Sequence, residues 1–402
     1  MAVARQGTHH VHGLDLAPIA DLAVVGTFAG PADAERRGRL VRWLDDEIAR
    51  RRAAPDNEAV PILLVIDDLG GPARAHDPVR DAAIHDRFGR IWADGPAVGV
   101  TVAVSVRRAA DLLPAMAATV GTVLLHRTAD QGEALRFNVK AALGEFPAGR
   151  AGRASDGAHV HVIRDGASIA AGVAAFAGPQ PPGAPHDVGE LTAVVPFDHA
   201  DVGVVLANQV AHLTVAIADR DLRGHALVLH HGEHALVIGP PRSGRTNTLA
   251  AIYRAAGGAA IVVGDGPLAR QCGVVPSMPA VLDSAIQGRG ATLVLVDDAT
   301  AVEDPTGALA ALVTAPPPGV HVVAAVRPDR LRGAYGHWAT EIRVSRRGIL
   351  LRPDPMDADL LGGQLPARLA LPALPGRGVV MGDAVMEIVQ VVLADEAAQS
   401  TS

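Results

Sequence analysis

The stretch Leu236-Val237-Ile238-Gly239-Pro240-Pro241-Arg242-Ser243-Gly244-Arg245-Thr246-Asn247-Thr248 reads as an apolar strand, a glycine-bounded loop and the start of a helix. That is the setting of the phosphate-binding pattern G-x-x-x-x-G-K-[ST], with arginine standing where lysine is usual. Gly239 and Gly244 let backbone N–H groups converge on phosphate oxygens, and the helix start adds its positive end. Residues Gly239, Pro240, Pro241, Arg242, Ser243, Gly244, Arg245, Thr246 and Asn247 are therefore the candidate nucleotide-binding positions, with Thr246 also a ligand for Mg²⁺. A lysine ammonium is a compact point charge, whereas the Arg245 guanidinium is a planar fork that neutralises phosphate from a different place. Nucleotide binding is thus expected to survive better than turnover, since losing one well-placed transition-state donor costs on the order of 10²–10³ in rate.

A second chemical element follows at Leu293-Val294-Leu295-Val296-Asp297-Asp298, an apolar strand ending in two acids. Asp297 has the place of a metal-holding carboxylate, and Asp298 that of the acid that activates an attacking water. Where glutamate is usual, aspartate is one methylene shorter, and misplacing a catalytic group by ~1 Å can cost ~10²-fold. The plainer readings are an ordinary Gly/Pro turn at residues 239–244 and two strand-end acids at 297 and 298. Other motifs carry less. His230-His231-Gly232-Glu233-His234 lacks the helical i, i+4 spacing of a zincin and reads as a turn between strands. His9, His10 and His12 have no acid or cysteine beside them and read as a frayed polar tail. No G-x-S-x-G elbow occurs, so a hydrolase triad has no support.

These residues need a scaffold, and the chain supplies one by alternating short branched-aliphatic runs with helical segments, the pattern of a mostly parallel sheet. Ile62–Ile66 reads as a buried strand ending in Asp67-Asp68, Val100–Val104 as the next, and the segment from Asp81 to Trp92 as the helix between them. Pro31 to Arg52 places Leu40, Trp43, Leu44 and Ile48 on one stripe, with a strand expected just upstream near Leu22-Ala23-Val24-Val25. At 402 residues the length suits two domains, and 49% hydrophobic against 3% aromatic content favours α/β layers over a β sandwich. A net charge of -7 gives no bulk attraction for polyanions, so DNA affinity is expected to be weak and unspecific. The single cysteine, Cys272, excludes an internal disulfide framework and fits a reducing cytosol. No apolar run approaches the ~20 residues of a membrane span, so a cytoplasmic chain reaching a membrane only through partners is expected.

The two halves repeat one another. Asp67-Asp68 answers Asp297-Asp298, Gly99 to Arg107 answers Gly319 to Arg327, and Phe146-Pro147-Ala148-Gly149-Arg150 answers Leu374-Pro375-Gly376-Arg377-Gly378, all in one order and at nearly constant separation. Such order indicates duplication of one domain. Gly178 to Pro185, rich in proline and glycine, marks the boundary. The reading is an incomplete domain at residues 1–177, a linker at 178–188, a P-loop domain at 189–395 and a disordered tail at 396–402.

With these motifs in hand, the chain resembles FtsK/SpoIIIE-type ATPases, most of all the multi-domain actinobacterial EccC-type proteins of type VII secretion, over nearly its whole length. The strand after the Asp pair ends Ala324-Ala325-Val326-Arg327-Pro328, similar to the family's Ala-Thr-Gln-Arg-Pro in its arginine and proline but not in its polar pair. Pro375-Gly376-Arg377-Gly378 followed by Val389-Gln390-Val391 is also similar. The resemblance implies two RecA-like domains, ATP with Mg²⁺ as cofactors, and Arg327 beside Asp298 as catalytic residues. As partners it implies further ATPase domains or subunits and a secreted peptide or DNA. Arg245, Asp298 and Val326 depart from the family pattern and imply slow turnover, as in degenerate downstream domains that bind nucleotide or partners more than they drive transport. A DNA translocase motor and a non-catalytic scaffold are the competing readings. The first half has its Asp pair but no phosphate loop within residues 1–60, so its nucleotide site is expected to be incomplete. The missing strand would lie before Met1 or on a separate chain, leaving apolar sheet edges uncovered.

Overall fold

The protein is described from a computed structural model covering residues 9–15, 25–31, 33–55, 58–69, 82–112, 114–128, 131–137, 139, 143–161, 182–287, 290–366, 369, 371–382 and 385–394. It divides into two compact units, Met1–Gly189 and Glu190–Ser402. Both are α/β, as the sequence pattern requires. Gly178 to Pro181 and the tail from residue 395 onward lie outside the described residues. Within the stretch read as linker, Val188 joins the core of the first unit, and Asp187 accepts from Thr27 Oγ1 and Arg36 Nη2.

In the first unit, β1 (His10–Leu14), β2 (Val25–Ala29), β3 (Ile62–Ile66) and β4 (Val100–Val104) form a parallel sheet in the order β2-β1-β3-β4. The amphipathic stripe of Pro31 to Arg52 becomes α1 (Ala34–Ala53), capped by Asp33 on Arg36 N, and its Leu40, Leu44 and Ile48 pack on Ile62, Leu64 and Ile66. The helix expected from Asp81 is α2 (Ala82–Asp94). A second, antiparallel sheet of β5 (Leu124–His126), β6 (Arg150–Arg153) and β7 (His159–His161) completes the described strands of this unit.

The N-terminal histidines correct the sequence reading. His10 and His12 belong to β1, which is paired on both sides, and the strand expected near Leu22 is described only from Val25. Leu22 to Val24 lie outside the described residues. Backbone pairing decided this over polarity: His12 is fully buried, lies tilted with its ring 5.0 Å from that of Trp43, and accepts through Nδ1 from the Thr27 amide at 3.1 Å. Burial, reinforced by His10 and His186, lowers its pKa to about 3, so it is a neutral core side chain.

The second unit holds one ten-stranded sheet. Its strands are β8 (Gly203–Ala207), β9 (Val210–Ala218), β10 (Gly224–Leu229), β11 (Ala235–Ile238), β12 (Ile261–Val263), β13 (Thr292–Val296), β14 (Val320–Val326), β15 (Gly348–Leu351), β16 (Arg377–Gly382) and β17 (Val385–Val391). The order is β10-β9-β17-β16-β15-β11-β14-β13-β12, with β8 on β9. Strands β12, β13, β14, β11 and β15 run parallel, and the remainder is antiparallel. β11, β13 and β14 are buried at every position because both faces are covered, which is why their sequences are unbroken apolar runs. One face packs Leu293, Leu295, Val323 and Ala325 under α3 (Arg245–Ala255); the other packs Val294, Val296, Val322 and Ala324 under Leu309, Leu312 and Trp338.

Residues 230–234 do form a turn between β10 and β11. His234 folds into the sheet, its Nδ1 accepting from Val322 N at 2.9 Å and its Nε2 facing Val313 O at 3.1 Å. Burial lowers its pKa to about 4. A histidine whose folded pKa lies below its unfolded value is protonated first in the unfolded chain, so its contribution is whole above the unfolded pKa near 6.5 and shrinks as pH falls toward 4. The second unit is expected to lose about 2 kcal/mol from this group between pH 7 and pH 5. Urea unfolding at the two pH values checks it: His234→Gln removes that share of the pH dependence, and an unchanged dependence refutes the assignment.

Candidate nucleotide-binding site

The site forms at the carboxyl ends of β11, β13 and β14, where β11 lies between β15 and β14 and the chain leaves toward β12, the usual crevice of an open α/β sheet. Gly239 N donates to Val326 O at 3.2 Å, anchoring the loop to the end of β14. A side chain at Gly239 would collide with Ser243 Oγ and lie 2.9 Å from Leu351 O. Gly244 caps α3 at φ 101°, a left-handed conformation that favours glycine, and a Cβ there would meet Gly376 N at 3.0 Å. Arg242 also takes positive φ, at 60°.

The Thr246 hydroxyl donates to Asp297 Oδ2 at 2.8 Å, joining loop and acid strand across 51 residues. Burial raises the Asp297 pKa, opposed by the Thr246 hydrogen bond and by the amide of Asp298, which donates to Asp297 Oδ1 at 3.0 Å. Asp298 itself stands at φ 46°, turning the chain sharply beyond β13. Arg245 does not extend outward: its Nη1 donates to Gly239 O at 2.6 Å. Burial lowers its pKa, and the charges of Asp297 and Asp298 oppose that effect, so the guanidinium stays charged. Arg327 makes a two-pronged pair with Asp329, Nε to Oδ1 at 3.1 Å and Nη2 to Oδ2 at 2.8 Å.

The structure therefore gathers Gly239, Ser243, Gly244, Arg245, Thr246, Asp297 and Asp298 around one loop. It directs Asn247 elsewhere: Nδ2 donates to Val392 O at 2.8 Å and Oδ1 accepts from Ala394 N at 2.9 Å, so this side chain clamps α3 to the end of β17. The Ser243 side chain is buried, and its Oγ has no hydrogen-bond partner among the described residues. An orphaned hydroxyl in a glycine cradle at a helix N-terminus fits a bound phosphate.

Sequence reasoning did not find what holds the loop from behind. Gly376, at φ 78°, donates its amide to Ser243 O at 2.8 Å, and Gln390 Nε2 donates to Pro375 O at 2.9 Å. Arg377, 1% exposed, donates from Nε to Gln390 Oε1 at 3.1 Å and from Nη2 to Leu191 O at 2.7 Å. The paired Pro-Gly-Arg-Gly and Val-Gln-Val segments were the available signal. In the first unit the repeated acids keep the same turn, Asp68 at φ 52°, but Arg107 pairs with Asp68 at 2.7 Å and Ser105 Oγ donates to Asp67 Oδ1 at 2.6 Å.

Comparison with known protein families gives no match, and comparison with curated proteins gives none. Solved structures do match. EccC (ATPases 2 and 3) of Thermomonospora curvata, in complex with a signal sequence peptide, aligns at TM-score 0.70 and 18% identity over 98% of this chain and 83% of that one. The cytoplasmic domain of the type VII secretion ATPase EccC from the same organism aligns at TM-score 0.69 and 19% identity, over 98% of this chain and 54% of that one. EssC (ATPases 2 and 3) of Geobacillus thermodenitrificans aligns at TM-score 0.64 and 16% identity, over 96% of this chain and 85% of that one. The shared feature is the fold, two α/β units built on mixed, partly parallel sheets. No helix among the described residues is long and apolar enough to cross a membrane.

Proposed function

We propose that the second unit binds Mg–ATP at residues 239–246 and turns it over slowly, as a regulatory or substrate-engaging segment of a type VII secretion-type ATPase. The carrying observation is the 2.8 Å hydrogen bond from Thr246 to Asp297, which sets hydroxyl and carboxylate side by side as a metal site between loop and acid strand requires. Gly239 and Gly244 keep the loop backbone open to phosphate oxygens, Ser243 offers an unused hydroxyl, and Arg245 supplies positive charge from beside the Gly239 carbonyl. A bound Mg²⁺ would neutralise phosphate charge next to Thr246 and Asp297. In this reading Asp298 orients an attacking water, and Arg327 is a reserve cation that Asp329 engages.

The likeness to EccC and EssC, the former solved with a signal sequence peptide, supports a secretion role with a peptide substrate and neighbouring ATPase units, in a cytoplasmic setting. The DNA-motor reading has only scattered arginines on a chain of net charge -7 behind it. Titration of a fluorescent ATP analogue with and without Mg²⁺ tests the proposal. The wild type is expected to bind in a Mg²⁺-dependent manner, and Asp297→Asn or Thr246→Ala to weaken that dependence about tenfold or more, on the scale of losing a metal-ligand contact. A wild type that fails to bind, or variants that bind like it, would favour the scaffold reading.

A further inference from the structure

The two units share part of one strand plan and differ at one place within that shared part. Strands β3 and β4 pair in the register Ile62↔Val100, as β13 and β14 pair in the register Thr292↔Val320. β5-β6-β7 repeats the antiparallel order of β15-β16-β17, with Gly149 and Gly376 both at positive φ before the middle strand. In the second unit β11 lies between β14 and β15 and runs parallel to both. In the first unit no described strand joins β4 to β5, and a cleft of about 840 Å³ stands there, walled by residues 101–108 and 119–128 with Trp92 and Phe137.

Three features define what this cleft accepts. Ser105 N donates to Ile66 O and Gly99 O accepts from Ile62 N, so alternation aims the N–H and C=O groups of Val102 and Val104 into the cleft. Thr101 and Ala103 are exposed, although their counterparts His321 and Val323 are buried, and Leu124 on the opposite wall is 40% exposed. Among the described residues the lining carries His126 and Arg127 at the end of β5 and no carboxylate, while Arg107 and Arg108, beyond β4, are already paired with Asp68 and Asp111. Apolar walls, two open strand edges and a cationic exit match a short apolar strand that ends in an acid.

We propose that the first unit completes its sheet by β-augmentation: an extended apolar segment of another polypeptide, followed by an acidic residue, inserts between β4 and β5, parallel to both, in the position that β11 fills in the second unit. The proposal is independent of nucleotide binding by the second unit. The probe is a labelled, solubly tagged peptide carrying residues 234–239 of this chain followed by aspartate, titrated into the full chain by fluorescence polarisation. Saturable binding is expected, with slowed amide exchange at residues 102–106 and 124–127. Replacing the terminal aspartate by lysine is expected to weaken binding at least about tenfold, as is Arg127→Glu, a surface change that leaves the core intact. Val102→Pro, which removes an amide aimed into the cleft while leaving the bonds to β3, is expected to abolish binding without altering ATP binding by the second unit. Absence of saturable binding overturns the proposal. So does equal binding of the lysine-ended peptide, or protection of the two edges that arises only as the chain self-associates, which would make a second copy the occupant.

Discussion

Replacing Arg245 by lysine is expected to raise phosphate release on the order of 10²-fold, the scale of restoring one well-placed electrostatic donor. In the wild type the guanidinium is tied to the carbonyl of Gly239 at 2.6 Å, so its charge is held against the first residue of the loop. A lysine at the same position carries three rotatable donors on a flexible stem and can follow the phosphate oxygens as charge develops on them. Affinity for ATP is expected to change only a few-fold, because loop amides and the α3 N-terminus bind phosphate in both forms. Single-turnover phosphate release separates the two effects. A lysine variant no faster than the wild type would place the rate limit elsewhere, with Asp298 the next candidate; a wild type already as fast as ordinary P-loop motors would remove the premise.

Arg377→Ala is expected to destabilise the second unit by about 3–5 kcal/mol, combining a large cavity with buried acceptors left without donors. Arg377 is nearly inaccessible, and its guanidinium serves Gln390 Oε1 and Leu191 O. Its neighbour Gly376 holds the Ser243 carbonyl, so loosening this hairpin is also expected to weaken nucleotide binding. Arg377→Lys keeps the charge but not the planar fork and is expected to recover only part of the loss. Urea unfolding of the two variants measures both effects. A change below about 1 kcal/mol for alanine would mean that the site relaxes and refills, contrary to its close packing.

What could be read from sequence was what depends on local order along the chain. The loop between Ile238 and Arg245 announces itself because glycine spacing, strand and helix start are contiguous. The Asp pairs at 67 and 297 stand out for the same reason, as acids ending apolar runs, and α1 and α2 follow from the 3.6-residue period of their buried stripes. The repeat was visible because its motifs keep one order in both halves, and the turn at residues 230–234 because glycine interrupts two β-type runs.

Only the tertiary structure decided which groups meet. The polar residues His10 and His12 became a strand because β2 and β3 offer hydrogen-bonding edges on both sides, and that pairing outweighed the cost of burying a neutral imidazole. Asn247, adjacent to the phosphate positions in sequence, faces the end of β17, since successive residues on a helix point about 100° apart. Thr246 and Asp297 touch across 51 residues because β14 separates β11 from β13 and brings their carboxyl ends level. Arg377 and Gln390 buttress the loop only through the antiparallel register of β16 and β17, where Arg377 lies opposite Gln390. The open slot between β4 and β5 is likewise a property of strand order. Pairing across a sheet is set by non-local hydrogen bonds and burial, which no local spacing encodes.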